Sequence, residues 1–211
     1  MKIARFPRRN GRVIAATRFQ NPRGRVRLRF THVLAIVIIA VFAIELAFPA
    51  LIDIFAFSPA EFAARPWSVL TAPLVHADLE HLIANLFALW FFGLAVEKEL
   101  GCKKALGAFL AGALLGEVAA AFLYSLDTLS LGASAGIFAL IGVAALVRPF
   151  ELDVGGWPMA SPLPLVLLAM IYAAYNALGM ISGPSDVAYG AHFAGLAVGL
   201  MFGYFCRKSP V

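Results

Sequence analysis

The sequence has few charged residues and few of the side chains that bind metals or form disulfides. Only 14% of its 211 residues are charged and 62% are hydrophobic, and it contains two cysteines and four histidines. An ordinary soluble domain has about 25% charged residues, so this composition excludes that class. It indicates a chain that lies within a lipid bilayer.

The sequence shows no pattern that indicates a metal site or a structural disulfide. The sequence has no Cys-x-x-Cys, no His-Glu-x-x-His and no carboxylate cluster, which are the patterns that typical metal sites show. His76 and His81 are five residues apart, about 140° around a helix, and so do not share a face. Cys102 and Cys206 fall at predicted cytoplasmic helix ends, where thiols stay reduced. We therefore expect no metal, no cofactor and no structural disulfide.

Six apolar stretches approach the length of about 20 residues that a helix needs to cross a bilayer. They are residues 33–51, 79–96, 105–124, 131–147, 162–181 and 190–206. The second and fourth are short and carry polar groups near their beginnings, so we expect them to start inside the membrane. The sequence therefore predicts an all-α polytopic membrane protein with six transmembrane helices.

The basic residues predict the orientation of the chain. Ten of the 17 lysines and arginines lie between Lys2 and Arg29, and a cytoplasmic amino terminus leaves only Arg65 outside. This distribution follows the positive-inside rule and places both termini in the cytoplasm. We expect a basic arm at 1–30, a membrane domain at 31–206 and a short tail at 207–211. Contact of the arm with anionic headgroups is favoured over nucleic-acid binding, and a cleaved signal peptide is disfavoured.

Several polar residues lie in stretches from which a bilayer normally excludes them. Burying such groups without partners costs several kcal/mol, which makes each a candidate functional residue. The alternative is that they hydrogen-bond between helices and only hold them together. The candidates are Glu45, His81, Asn85, Glu117, Ser134, Asn176 and His192.

Two of these candidates are flanked by small residues. Ser134 lies in "GASAG" at the start of the fourth stretch, a G-x-S-x-G pattern that is weak when it stands alone. His192 lies in "GAHFAGLAVG", where Gly195 and Gly199 permit a close helix approach. Packing these two faces together would bring the serine hydroxyl near the imidazole, which is the minimum apparatus for nucleophilic catalysis. His81 and Asn85, four residues apart, project from one face of the second helix.

Taken together, these motifs resemble a known family. "EHLIANL", "GASAGIFALIG" and "GAHFAGLAVG" fall in the second, fourth and sixth predicted helices, and in this order they resemble the rhomboid intramembrane serine proteases of the prokaryotic six-helix type. The likeness covers about residues 31 to 206. Ala135 stands where most members of that family have glycine.

The resemblance implies a Ser-His dyad. Ser134 would attack the scissile carbonyl, and His192 would take its proton and deliver it to the leaving amine. The His81 ring, the Asn85 amide and the backbone N–H of Ser134 would stabilise the oxyanion. The implied substrates are single-span membrane proteins, cleaved near the outer end of their transmembrane helix.

The resemblance also implies supporting residues and a location. Phe138 occupies the position of an aromatic ring beneath the catalytic histidine, and His76 that of a residue with structural hydrogen bonds. Gly132 fits an irregular backbone that lines a water-filled cavity. Apart from the resemblance, Pro162 and Pro164 near the start of the fifth helix and Gly179 and Gly183 near its end suggest that this helix moves aside to admit a substrate. The expected location is the plasma membrane of a bacterium or archaeon.

Two functions from other classes remain open at this point. One is a catalytically inactive rhomboid-like protein that binds membrane clients, although such relatives typically lose the serine or the histidine. The other is a small transporter, in which Glu45, Glu117 and Asn176 would form a polar path.

Overall fold

The computed structural model describes residues 29–147, 149, 164–182 and 187–208. Most of the basic arm, the first residues of the predicted fifth helix and the end of the tail lie outside the described residues. The helices are α1 (Phe30–Ala47), α2 (Leu51–Phe55), α3 (Ser68–Thr71), α4 (Leu79–Ala88), α5 (Leu94–Leu100), α6 (Cys102–Leu123), α7 (Ser134–Val147), α8 (Leu165–Ile181) and α9 (Tyr189–Lys208). A π-helical turn over Leu89–Gly93 joins α4 to α5, and short 3-10 turns occur at Pro59–Glu61 and Ala72–Leu74.

The described chain is all-helical and apolar enough to be a membrane protein. Four continuous helical stretches have the length and composition of a membrane span: Phe30–Ala47, Leu79–Leu100, Cys102–Leu123 and Tyr189–Arg207. Two apolar helices, Ser134–Val147 and Leu165–Ile181, are shorter. An all-α membrane fold is thus confirmed, and the crossing of the bilayer by all six stretches stays a prediction.

The second helical stretch is longer than the sequence predicted. The expectation of a short helix ending at residue 96 was wrong, because the helix continues through the π-helical turn to Leu100 and spans 22 residues. The charged run that begins at Glu97 marked the end of the apolar stretch, but charges do not end a helix. Gly101, with φ 81°, does so, since a left-handed residue cannot continue the α-helix.

Glu97 has a structural role at the start of α1. Its Oε1 accepts a hydrogen bond of 2.9 Å from the Phe30 N–H, and its Oε2 accepts bonds of 3.1 Å and 2.8 Å from the Thr31 N–H and hydroxyl. The first N–H groups of a helix have no partner within the helix. A carboxylate from the end of α5 therefore caps α1 and fixes the two helix ends together.

The centre of the fold is α7. Every residue from Ala135 to Ala144 is buried, and the helix packs against α6, α8 and α9. A helix that is apolar all round belongs in the interior. The surrounding helices expose large apolar side chains such as Ile36, Phe122 and Met170, which suits contact with lipid tails.

The connection between α1 and α4 is folded against the segment that precedes α7. Phe57 and Ser130 form an antiparallel bridge with N–O distances of 2.9 Å and 2.8 Å. The Ser58 hydroxyl and the Ala60 N–H both donate to the Leu126 carbonyl, at 3.2 Å and 3.1 Å. This connection therefore positions the chain that leads to Ser134.

Candidate active site

The backbone before Ser134 has a conformation that requires glycine. Gly132 has φ 104°, a value that side chains disfavour, and its N–H donates to the Ala72 carbonyl at 2.9 Å. A Cβ built on Gly132 would lie 2.6 Å from the His81 ring and 3.6 Å from the Asn85 Nδ2. The glycine thus lets the His81 ring and the Asn85 amide approach the backbone just before Ser134.

Close packing of α7 against α9 positions Ser134 and His192. A Cβ on Gly195 or on Gly199 would collide with the carbonyl oxygen of Ala135 or Ala139, respectively. Without those Cβ atoms the two backbones approach closely. Ser134 is the first residue of α7 and His192 lies in the first turn of α9. The Ser134 Oγ and the His192 Nε2 lie 2.7 Å apart.

The other nitrogen of the same imidazole also has a partner. The His192 Nδ1 lies 2.7 Å from the Asn176 Oδ1, and the Asn176 Nδ2 donates to the Tyr189 carbonyl at 3.0 Å. Asn176 is 1% exposed. The sequence interpretation counted Asn176 among the polar candidates, but the one specific role it gave Asn176 was in the polar path of a transporter. Its isolation in an otherwise apolar helix was the signal that it had a buried partner.

Phe138 stacks against His192. Their ring centroids are 4.5 Å apart and their planes are 10° apart. Phe138 lies one turn after Ser134 in α7, so the helix that carries the serine also supports the imidazole from below. The Tyr172 ring of α8 meets Phe138 edge-on, with centroids 6.2 Å apart.

His81 and Asn85 lie in the first turns of α4. Asp78 precedes the helix as its N-cap residue, and its side chain accepts a 2.7 Å hydrogen bond from the His81 N–H, as is usual at this position. The Asn85 Nδ2 donates to the His81 carbonyl at 3.1 Å. One proton of that amide group therefore stays available to a substrate, since each amide nitrogen carries two.

His76 lies behind His81 and is fully buried. The two rings meet edge-on with centroids 5.1 Å apart, and the His76 N–H donates to the Glu45 Oε2 at 3.3 Å. Burial lowers the pKa of His76 to about 4, and the neighbouring His81 ring acts in the same direction. His76 is therefore neutral at pH 7 and restrains the position of the His81 ring.

A second buried carboxyl lies near the approach to Ser134. Glu117 of α6 is 3% exposed and hydrogen-bonds the side chain of Ser130. Ser130 is also the residue paired with Phe57. Among the residues described here, no group of three or more histidine, cysteine, aspartate or glutamate side chains is arranged to hold a metal ion.

A groove runs between α4 and α8 beside this site. Its volume is about 590 Å³, and its lining is mostly apolar. The residues that line it are Leu79, Glu80, Ile83, Ala84, Phe87 and Tyr172. Such a groove suits an apolar helix or an extended segment of one more than a free polar ligand.

The fold and the site define a class: an integral multi-pass helical membrane protein in which a serine and a histidine from two helices are in hydrogen-bond contact. The chain belongs to the rhomboid family, because the family model described as "Rhomboid domain" matches residues 63–209, more than half of its length.

Relatives that are similar to the chain come from several kingdoms. It is 26% identical over 141 residues to "Putative rhomboid protease YdcA" of Bacillus subtilis, covering 66% of this chain and 67% of that protein. It is 32% identical over 139 residues to "Rhomboid protease GlpG" of Enterobacter sp., covering 65% of this chain and 48% of that protein. It is 26% identical over 162 residues to "Rhomboid protein 1, mitochondrial" of Saccharomyces cerevisiae, covering 71% and 44%. The chain thus matches less than half the length of two of these three relatives.

Proposed function

We propose that the protein is an intramembrane serine endopeptidase with Ser134 as nucleophile and His192 as general base. The observation that carries this proposal is the 2.7 Å distance between the Ser134 Oγ and the His192 Nε2. That distance lies within the range over which a base takes a proton from a hydroxyl. A serine and a histidine kept only for helix packing would not need this alignment.

The reaction follows from the positions of these two side chains. The Ser134 Oγ bonds to the carbonyl carbon of the scissile peptide as its proton moves to the His192 Nε2. The tetrahedral intermediate collapses, the C–N bond breaks, and His192 gives the proton to the leaving amine. A water molecule then attacks the acyl carbon as its proton moves to His192. The bond between that carbon and the Ser134 Oγ breaks, His192 returns the proton to the Oγ, and the second product leaves.

Three donors are proposed for the oxyanion of the tetrahedral intermediate. They are the backbone N–H of Ser134, the Asn85 amide and the His81 ring. The N–H groups at the start of α7 are free of intrahelical partners and favour negative charge. The closeness of the His81 ring and the Asn85 Nδ2 to Gly132 supports the assignment, because both side chains then lie near the N-terminus of α7, where Ser134 is.

We propose that substrates are single-span membrane proteins that enter through the groove between α4 and α8. The lining of the groove is mostly apolar, and it includes Tyr172, which contacts the Phe138 ring that stacks on His192. A helix weakened near its outer end by glycine, proline or small residues would present an extended peptide bond there. Movement of α8 would widen this entrance. Phe138 and His76 are proposed as supporting residues, and Gly132 as the residue that permits the active-site backbone.

The proposed topology has six membrane crossings and both termini in the cytoplasm, with the arm, membrane domain and tail divided at residues 30 and 206. The distribution of basic residues supports it. A bacterial or archaeal plasma membrane stays a prediction, since the relatives include yeast and mouse proteins as well as bacterial ones.

The alternative functions gain less support. A transporter would need Glu45, Glu117 and Asn176 to share one path, whereas each bonds a different partner: the His76 N–H, Ser130 and His192. An inactive client-binding protein differs from a protease in its chemistry, so an activity measurement separates these two functions.

The test uses the full chain purified in detergent. The wild type is incubated with a serine-reactive fluorophosphonate and with a model single-span substrate, and both measurements are repeated on Ser134→Ala and His192→Ala. We expect labelling and cleavage by the wild type only. Fluorophosphonate labelling that persists in Ser134→Ala, or cleavage that survives both substitutions, would show that the assignment is wrong.

A further inference from the structure

Asn176 contacts the catalytic imidazole on the side away from Ser134. Its Oδ1 lies 2.7 Å from the His192 Nδ1, and its Nδ2 donates to the carbonyl of Tyr189 at 3.0 Å. Asn176 lies in α8, whereas Tyr189 and His192 lie in the first turn of α9. One buried amide therefore joins two helices at the position of the histidine.

The Tyr189 carbonyl determines which way this amide faces. A carbonyl oxygen only accepts hydrogen bonds, so the Asn176 atom beside it must be the nitrogen. The amide oxygen then faces the His192 Nδ1 and, being an acceptor, requires a proton on that nitrogen. In a neutral imidazole only one nitrogen is protonated. The His192 Nε2 therefore presents its lone pair to the Ser134 hydroxyl.

We infer that Asn176 is a positioning residue for His192, which completes a Ser134–His192–Asn176 chain of hydrogen bonds; this inference rests on the proposed protease function. The amide sets the tautomer that a general base needs and fixes the rotation of the ring in its own plane. Phe138, which stacks on the face of the ring, fixes the plane but leaves that rotation free. The two contacts are therefore complementary.

An amide suits this position better than a carboxylate does. Asn176 is 1% exposed, and its contacts within the described residues, the Tyr189 carbonyl and the neutral His192 ring, offer no cation to pair with a buried carboxylate. An uncompensated carboxylate in a low-dielectric interior is unfavourable. A neutral oxygen still accepts the Nδ1 proton and stabilises the imidazolium that forms when Ser134 loses its proton.

Substrate cleavage by Asn176 variants gives the first measurement. We expect Asn176→Ala to lower kcat about 10–100-fold, by analogy with the loss seen when the hydrogen-bond partner of a metal-bound histidine is removed, with little change in KM. Asn176→Leu keeps the volume of the side chain and should show the same loss. Asn176→Asp keeps the acceptor oxygen and should recover part of kcat. Ser182→Ala, which removes a hydroxyl bonded to the Leu178 carbonyl of the same helix, should leave kcat unchanged.

The tautomer of His192 gives a second measurement that does not require activity. The chain has four histidines, so 15N-labelled histidine yields four ring systems, and the His192→Ala spectrum identifies the signals of His192. Long-range 1H–15N correlations show which ring nitrogen carries the proton. We expect Nδ1–H in the wild type and in Asn176→Asp, and a mixed or Nε2–H population in Asn176→Ala and Asn176→Leu.

The outcomes separate this inference from the proposed function. A wild type that cleaves nothing would overturn the protease assignment, whereas the tautomer of His192 could still be determined. An active wild type whose kcat survives both Asn176→Ala and Asn176→Leu would overturn the inference. So would Nε2–H in the wild type, or a loss of kcat in variants that keep Nδ1–H, because Asn176 would then act only as a structural contact between helices.

Discussion

The rings of Phe138 and His192 are nearly parallel, with centroids 4.5 Å apart and planes 10° apart. Stacked rings are held by about 0.5–1.5 kcal/mol beyond the area they bury. Phe138 belongs to the helix that Ser134 begins, so one helix carries both the proposed nucleophile and the ring that supports the proposed base.

The stack predicts a graded series at position 138. Phe138→Leu removes the ring and should lower kcat about 2–10-fold, the rate equivalent of the stacking energy, because the imidazole is less well restrained. Phe138→Tyr keeps an aromatic ring and serves as the control. Steady-state cleavage of the model substrate is the measurement. A Phe138→Leu enzyme with the kcat of the wild type would show that the stack does not restrain the base.

Asn85 is predicted to act after the nucleophile has been activated. Asn85→Ala should lower the rate of substrate cleavage ~10²–10³-fold, the usual effect of losing one oxyanion donor. Labelling of Ser134 by a fluorophosphonate should persist, because the Ser134–His192 pair is intact. Comparing labelling with cleavage on the same preparation checks this. Loss of both to the same extent would instead indicate a misfolded site.

Close packing of α7 and α9 predicts a stability difference between two glycine substitutions. Gly195→Ala places a Cβ against the carbonyl oxygen of Ala135, and we expect destabilisation of about 1–3 kcal/mol, as overpacking usually causes. Gly107→Ala is the matched control, because Gly107 lies in helix α6 with open space around it. That change should stabilise by up to about 1 kcal/mol. Thermal unfolding in detergent measures both, and equal melting temperatures would argue against tight packing at Gly195.

Weakening the Glu97 cap on α1 is predicted to lower the free energy of unfolding without lowering kcat. Glu97→Gln keeps one acceptor oxygen but puts an amide NH₂ against the N–H groups of Phe30 or Thr31. We expect about 1.5–3 kcal/mol of destabilisation, the range for hydrogen bonds to a charged group. Asp127→Asn, at an exposed carboxylate in a turn, is the control for loss of charge. Thermal unfolding in detergent measures the loss of stability, and the folded fraction of Glu97→Gln should have the kcat of the wild type.

Acidification is predicted to destabilise the protein partly through His76. Its pKa is lowered from 6.5 to about 4 in the folded state, so between these values the unfolded chain binds a proton that the folded chain does not. The contribution of His76 to stability is therefore fully present above pH 6.5 and is lost as the pH drops toward 4. Melting temperatures of the wild type and of His76→Gln across this range test the prediction. The His76 contribution is supported if the variant shows a shallower decline.

The sequence predicted which stretches form helices better than it predicted where those helices end. The hydropathy of the sequence predicts where the helices lie, because a helix that is surrounded by lipid needs a long stretch of apolar residues. It could not show that the second helix continues past Glu97, since that carboxylate is satisfied by the start of α1, 66 residues away along the chain. Likewise, the small residues that flank Ser134 and His192 suggested that their helices meet, but only the three-dimensional arrangement shows that Asn176 approaches the other side of the imidazole.

The length of α7 has a consequence for where a peptide bond can be cut. Its 14 residues span about 21 Å at 1.5 Å per residue, whereas the hydrocarbon layer is about 30 Å thick. If the far end of α7 reaches one boundary of that layer, Ser134 stops roughly 9 Å short of the other. The length of α7 thus determines how deep Ser134 lies in the hydrocarbon layer. For the proposed protease, a thinner bilayer would bring Ser134 closer to water and move the cut along the substrate, so we expect the cleavage position to depend on lipid thickness.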